Sequence, residues 1–186
     1  MTTPEKPSAS PSAQLETLPL AAADPRWREW YEAHGAAVYG FIRFHVASPD
    51  EAEDLAADTF LKAFRSAGRF DARRAGVRTW LLSIARNAVR DHRRRSRLRR
   101  HLPLASLRDL VSEHPSPEER LLWAEHVRHV LEALEQLSDR DREIIGLRYG
   151  SELAPAEVAA ILGVSEATTR TRLWRAVKRL RRALEA

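Results

Sequence analysis

Helical periodicity is the feature that most constrains what this chain can fold into. From about residue 25 onward, apolar residues recur every three or four positions, which places them on one side of an α-helix. No segment alternates apolar and polar residues as a half-buried strand does. The first stripe consists of Trp27, Tyr31, His34, Val38 and Phe41/Ile42. The pattern therefore predicts an all-α protein.

Proline and serine divide the first part of the chain. Residues 1–23 are rich in Pro, Ser and Ala, and they are predicted to form a disordered tail. Asp24 and Pro25 then supply an N-cap and a proline at the first helical position. The predicted helices cover residues 24–45, 50–66 and 77–95. They are expected to pack as one bundle, residues 24–98.

The second part of the chain forms a separate helical unit by the same criteria. Residues 99–117 contain three prolines and little periodicity, which predicts a flexible linker with a short helix at 104–111. A capping box with proline at its first helical position, Ser116 to Glu119, begins the next helix. Another begins at Ser138 and ends at Gly150. The fold prediction is two small helical domains, 24–98 and 118–186, joined by the linker.

The most specific local pattern spans about residues 155–174. Pro155 begins a short helix, Gly163 supplies the left-handed residue that ends it, and Ser165 caps a longer basic helix. A short helix, a glycine-containing turn and a basic helix are typical of a helix-turn-helix. Its second helix would place N-terminal residues at base edges and arginines on phosphates. A helical hairpin with a solvated basic face is the alternative reading.

Basic residues are concentrated in two stretches. Residues 90–100 carry seven Arg and one Asp, and residues 170–182 carry seven Arg or Lys and no acid. The rest of the chain carries 17 basic and 25 acidic residues. This asymmetry favours two separate contacts with a polyanion over two merely solvated faces. Charge alone does not distinguish DNA from RNA.

Several classes of function are disfavoured by what the sequence lacks. Cys is absent, which excludes disulfides and thiolate chemistry. No apolar run approaches the roughly 18 residues of a membrane span, and no secretory signal is present, so we expect a cytoplasmic protein without membrane insertion. His126 and His129 share a helix face but have no evident third ligand. We therefore predict no catalytic residue, no metal and no cofactor.

Two other functions share the helix-turn-helix. A DNA recombinase or nuclease would need a carboxylate cluster or an activated nucleophile, whereas the carboxylates here lie near helix starts. A one-component or response-type regulator would need a ligand pocket or a receiver domain, and a receiver contains strands. The sequence pattern shows neither the catalytic residues of a recombinase or nuclease nor the strands of a receiver domain.

The C-terminal segment resembles region 4 of extracytoplasmic-function (ECF) sigma factors, the promoter-reading subunits of bacterial RNA polymerase. The resemblance covers residues 134–184. It is carried by Arg142-Glu143, Leu147-Arg148-Tyr149, Glu157-Val158-Ala159, Leu162-Gly163-Val164-Ser165, Thr168, Arg172-Leu173 and Arg175-Ala176. Taken alone, this segment also resembles the DNA-binding end of many response regulators.

The N-terminal segment decides between these families. Residues 52–55 (AEDL) and 59–63 (TFLKA) resemble the region 2 segment that docks on the polymerase clamp. Arg69-Phe70-Asp71, Trp80-Leu81, Ile84-Ala85-Arg86-Asn87 and Asp91 are similar to the segment that opens and reads the −10 element. The two matches occur in the family's order, so the chain is identified as a member of the ECF sigma factors.

The resemblance implies three sets of contact residues. Those for the polymerase core are Glu53, Asp54, Leu55, Asp58, Phe60 and Leu61. Those for −10 DNA are Phe70, Arg78, Trp80, Arg86, Asn87, Arg90, Arg93 and Arg94. Those for −35 DNA are Ser165, Glu166, Thr168, Thr169, Arg170, Arg172, Arg175, Lys178 and Arg179. Trp80 is equally compatible with a core position and with a stacking surface.

The implied partners are the polymerase core, through the clamp coiled coil of its largest subunit and its flap, promoter DNA, and an anti-sigma factor. A linker of this length reaches at most about 63–68 Å. As a flexible coil it would span only about 25 Å, whereas the resemblance implies two promoter elements on the order of 60 Å apart. The linker would therefore be stretched in an initiation complex, and the uncomplexed protein would be more compact.

Five positions depart from the family's usual residue. They are Ala57 for Gln, Asp58 for Glu, Ser138 for Pro, Ala154 for Ser or Thr, and Thr169 for Val. Ala57 puts one polymerase contact in doubt, because alanine has no side-chain donor or acceptor. Ala154 is a poor N-cap for the same reason.

Overall fold

The structure, a computed structural model, describes residues 25–46, 48–98 and 117–185. Its helices are α1 (Pro25–Arg43), α2 (Pro49–Arg65), α3 (Val77–Leu98), α4 (Pro117–Glu135), α5 (Asp139–Ile145), α6 (Pro155–Leu162) and α7 (Glu166–Leu184). These ranges contain no strand, so the all-α prediction is confirmed. The predicted tail and the helix at 104–111 lie outside the described residues, as does the linker apart from Pro117, with which α4 begins.

The N-terminal module, residues 25–98, is built on α1, α2 and α3. Ser48 caps α2: its hydroxyl accepts a hydrogen bond from the Glu51 backbone N–H at 3.4 Å, and Pro49 occupies the first helical position. All three helices pack against one another. Their shared core includes Val38, Phe41, Ile42, Ala52, Ala63, Leu81, Leu82 and Ala85, none with exposed surface.

The C-terminal module, residues 117–185, has the helix-turn-helix that the sequence predicts. Gly163 has a φ of 67° and ends α6, where a residue without Cβ can adopt the left-handed conformation at little cost. Ser165 caps α7, because its hydroxyl accepts from the Thr168 N–H at 3.2 Å. Helix α7 packs on α4, α5 and α6. Ser138 caps α5 in the same way, accepting from the Asp141 N–H at 3.2 Å.

The helix predicted from Ser138 to Gly150 is not one regular α-helix. Helix α5 ends at Ile145, and residues Gly146–Gly150 form a wider π-helical turn. The Ser151 N–H donates to the Gly146 carbonyl at 3.0 Å, which is the i to i+5 spacing of a π turn. We call residues 146–150 the π turn.

The poor cap at Ala154 is partly compensated. Alanine cannot accept from the first turn of α6, but its own N–H donates to Glu157 Oε2 at 2.8 Å. This is one half of a capping box, and it satisfies one backbone donor at the start of the helix.

The two modules pack against each other and share one continuous hydrophobic core. Helix α1 lies along the π turn, and α3 contacts α6. Between α1 and the π turn, the backbones of Gly40 and Gly150 meet without an intervening side chain. The sequence did not predict this contact, which we call the closed arrangement. Among the described helices, none has both the length and the apolar character needed to cross a bilayer.

Candidate nucleic-acid and polymerase interfaces

Helix α7 presents a basic surface on the side that faces away from the core of the C-terminal module. Thr169 and Ala176 are its buried residues, so the remaining faces are at least partly accessible. The predicted contacts Arg172, Arg175 and Lys178 are exposed. This arrangement gives a duplex both cationic groups and hydrogen-bond donors along one helix.

Most of the predicted −35 residues form side-chain hydrogen bonds or ion pairs within the module. They are Ser165, Glu166, Thr168, Thr169, Arg170 and Arg179. Thr169 has no exposed surface, and its hydroxyl donates to the Ser165 carbonyl at 3.1 Å, which leaves it no route to a base in this conformation. Arg170 pairs with Glu166 one turn earlier at 2.6 Å, on an exposed surface where such a pair is easily exchanged. Arg179 pairs with Asp141 of α5 at 2.8 Å.

Trp174 is a surface residue that the sequence reasoning missed. It is 64% exposed, which is unusual for tryptophan, and Lys178 Nζ lies 5.2 Å from its ring centroid. Helical spacing could have found it, because Arg170, Trp174 and Lys178 are each four residues apart and share a face.

Helix α3 carries two stripes of DNA-contact candidates. The first, which we call the exposed stripe, consists of Asn87, Arg90 and Arg94. Asn87 and Arg90 are exposed, and Arg94 makes an exposed pair with Asp91 at 3.5 Å. Spacings of three and four residues put these side chains on one face, where a nucleic-acid strand could contact all of them.

The second stripe, which we call the engaged stripe, consists of Arg78, Arg86 and Arg93. Arg86 makes a two-pronged ion pair with Glu143 of α5, with N–O distances of 2.7 and 3.3 Å. Arg93 pairs with Asp139 at 2.6 Å. Arg78 donates to the Ser151 backbone carbonyl. Each arginine of this stripe is therefore held by the C-terminal module.

Aromatic side chains cluster at the start of α3. Trp80 and Phe70 lie 5.0 Å apart by ring centroid, and Trp30 of α1 lies edge-on to both, at 6.2 and 5.5 Å. Phe70 and Trp80 are half-buried. Trp80 therefore packs against neighbouring aromatic rings and also keeps part of its surface accessible. It combines the core position and the stacking surface that the sequence left open.

The acidic surface of α2 is divided by burial. Asp54 and Asp58 are exposed, Glu53 is half-buried, and Leu55 and Phe60 are 5% and 4% exposed. Leu61 is half-buried. Burial and the nearby Glu53 carboxylate raise the pKa of Tyr31. A partner that docks here can reach the two aspartates directly, whereas Leu55 and Phe60 are buried and pack in the core.

The two histidines of α4 do not assemble a metal site in the described part of the chain. His129 Nε2 lies 3.1 Å from the Leu184 carbonyl oxygen, and His126 is exposed. Among the described residues, no group of three or more His, Cys, Asp or Glu side chains is placed to hold an ion.

A helix-turn-helix joined to a second basic helical module is typical of a nucleic-acid-binding protein. Comparison with known families agrees. The Sigma-70 region 2 family matches residues 30–99, and the Sigma-70, region 4 family matches residues 133–182. Together with the relatives described next, these matches show that the chain belongs to the ECF RNA polymerase sigma factors.

Curated relatives carry the same family name. The chain is 34% identical over 154 residues to the ECF RNA polymerase sigma factor BldN of Streptomyces coelicolor, covering 83% of this chain and 58% of BldN. It is 30% identical over 171 residues to SigL of Mycobacterium tuberculosis, covering 89% of this chain and 92% of SigL.

A solved relative supports the two-module architecture. The sigma factor RpoE of Bartonella quintana, solved in complex with the anti-sigma factor NepR, is 28% identical. The TM-score is 0.60, and the match covers 81% of this chain and 91% of that one.

Proposed function

We propose that this protein binds core RNA polymerase through the exposed acids of α2 and directs initiation at promoters read at two places. Helix α7 would contact the −35 element as duplex, and α3 would contact the −10 element as it opens. One observation carries this proposal. Two basic helical surfaces lie on separate modules of a single chain, in the order of sigma regions 2 and 4.

The chemistry of each surface suits its proposed target. Arginines along α7 can form two parallel hydrogen bonds with guanine or pair with phosphates, and Trp174 offers an apolar surface to a thymine methyl group. On α3, Asn87 provides both a donor and an acceptor for a base edge, beside Arg90 for the backbone. The half-buried rings of Phe70 and Trp80 provide stacking surface for an unpaired base.

The polymerase contact rests on the placement of two carboxylates. Asp54 and Asp58 are one turn apart on α2 and both point to solvent, so together they can meet cations of a basic helix. Ala57, between them, adds no hydrogen bond where the family usually has glutamine. Affinity for the clamp is therefore expected to depend on these two charges.

This role requires no catalysis by the sigma factor itself, and it would be exercised in the cytoplasm, where the polymerase acts. Because RpoE of Bartonella quintana forms a complex with the anti-sigma factor NepR, we also propose an anti-sigma partner for this protein.

The test is initiation with purified components. The protein is mixed with core polymerase and genomic promoter fragments, and specific transcripts are sequenced. Asp54→Lys/Asp58→Lys should abolish core capture and transcripts, because two attractive charges become repulsive. Glu29→Lys/Glu32→Lys on the exposed surface of α1 is the matched control and should behave as wild type. Wild-type protein that fails to bind core, or cuts DNA without it, contradicts the proposal.

A further inference from the structure

We propose that the C-terminal module holds this protein in an autoinhibited state by occupying the engaged stripe of α3, Arg78, Arg86 and Arg93. The inference rests on the proposed function for the role of α3 in promoter DNA. It goes beyond that function because it assigns a second role, intramolecular inhibition, to the residues of α5 and to Ser151, which contact α3.

The strongest of these contacts is the ion pair between Arg86 and Glu143. Both prongs of the guanidinium are used, and the side chains are only 24% and 15% exposed. A two-pronged pair with partly excluded water is stronger than an exposed surface pair. A carboxylate held this way occupies the donors that a DNA phosphate would need.

Two further contacts extend the same occupation along α3. Arg93, seven residues beyond Arg86 and so two turns along the same face, pairs with Asp139. Arg78, at the other end, donates to the carbonyl of Ser151. The engaged stripe is thus covered over most of the helix's length, while the exposed stripe of Asn87, Arg90 and Arg94 is not.

The backbone geometry of the closed arrangement is specific. A Cβ added at Gly150 would lie 2.7 Å from the Gly40 carbonyl oxygen and 2.8 Å from Phe44 Cδ2, distances that real Cβ atoms do not reach. A Cβ at Gly40 would overlap the Gly150 carbonyl. The adjacent Ser151 hydroxyl donates to the Ala37 carbonyl at 2.8 Å and has no exposed surface. Two glycines and a buried serine therefore fit the modules together closely.

Closure and binding of DNA by the engaged stripe are mutually exclusive, because the same guanidinium groups serve both. Each must therefore weaken the other by the same factor. A ligand of α3 would shift the population toward an open state, and any change that weakens closure would strengthen binding.

The experiment measures closure and DNA binding in the full chain. The protein has no cysteine, so Ala33→Cys and Arg182→Cys give two exposed labelling sites, one on each module, for energy transfer. The opened variant is Asp139→Asn/Glu143→Gln. The matched control, Glu125→Gln/Glu185→Gln, removes two exposed carboxylates from the same module. The DNA probe is short single-stranded oligo(dT), and helix α7 carries no change other than the label at residue 182, which all of the compared proteins share.

We expect lower energy transfer in the opened variant and oligo(dT) binding about ten-fold tighter than in wild type. The control should match wild type in both measurements. The proposal is overturned if wild type and the opened variant give the same energy transfer, or if the variant opens but binds oligo(dT) no better than the control. If neither wild type nor the opened variant binds core polymerase, the proposed function is contradicted instead. The energy-transfer and oligo(dT) measurements would still show whether the C-terminal module closes over α3.

Discussion

The two basic helices differ in what they face. Helix α7 has its basic residues exposed or paired within the C-terminal module, as Arg170 is with Glu166. Helix α3 has three of its seven arginines held by the other module, as Arg86 is by Glu143. The surface proposed to bind duplex is therefore accessible in the closed arrangement, while the surface proposed to engage the opened strand is partly covered. The difference predicts that changes at the module contact alter α3 function and leave α7 function unchanged.

The largest effect is expected from Gly40→Ala, which places a Cβ against the Gly150 carbonyl. No side-chain rotation can relieve an overlap between two backbones, so closure should be weakened by about 3 kcal/mol. The same change should stabilise α1 by roughly 1 kcal/mol, because alanine favours the helix over glycine. Energy transfer between the modules and urea unfolding measure the two effects.

Gly35→Ala is the matched control on the same helix. Its Cβ would make an ordinary contact of 3.4 Å with Tyr31 Cε1, so it should give the helical gain without opening the protein. Equal energy transfer in both variants would mean that the Gly40 contact does not hold the modules together.

Arg175→Ala tests whether α7 is independent of closure. Loss of a charge-assisted hydrogen bond to a phosphate should cost about 2 kcal/mol of duplex affinity and reduce the dependence of binding on salt. Because Arg175 is exposed in the closed arrangement, the loss should be the same in wild type and in Gly40→Ala. Duplex titrations at several salt concentrations measure both quantities. A loss that changes with closure would show that α7 is also regulated.

The buried His45 should make closure depend on pH. It is 8% exposed, and neither ring nitrogen has a hydrogen-bond partner among the described residues. A Cβ at Gly146 would lie 3.4 Å from its Nε2, so the C-terminal module covers the ring. Burial, with Arg93 of α3 and Arg142 of α5 nearby, lowers the pKa of His45 to about 3.

A lowered histidine pKa means that the closed state binds fewer protons than the open state. Closure is then at full strength above the ordinary value of about 6.5 and weakens as the pH falls from there toward 3. Between about pH 7.5 and 5.5 the loss is about 1.4 kcal/mol, if opening restores the ordinary pKa. Energy transfer should fall over this range in wild type and stay constant in His45→Phe. A pH response that persists in His45→Phe would assign it to another group.

The sequence predicted the helices and the helix-turn-helix because their determinants are local. Ser138, Pro155, Gly163 and Ser165 each act within one helical turn, and all four lie where the pattern placed them. The closed arrangement depends instead on residues far apart in the chain, such as Arg86 and Glu143. Periodicity gives no information about such pairs. A glycine within a predicted helix can mean either a locally less stable helix or a place where another backbone packs closely. For Gly40, the packing of Gly150 against it shows that the second meaning holds.

The smallest effect concerns Glu152, which follows the π turn and has a φ of 53°. A residue with a Cβ is strained by about 1 kcal/mol in this left-handed region, whereas glycine is not. Glu152→Gly should therefore raise the free energy of unfolding of the C-terminal module by up to about 1 kcal/mol, less the entropy that glycine gains in the unfolded chain. Urea unfolding measures the change.

Glu152→Ala separates relief of backbone strain from removal of the carboxylate, since alanine keeps the Cβ and loses the charge. It should not be more stable than wild type. If both variants gain equally, the charge of Glu152 and not its backbone conformation is the source of strain. If Glu152→Gly stabilises the module and also increases energy transfer, the strained residue opposes closure, because it directly precedes the core residue Leu153 and follows Ser151, which contacts α1.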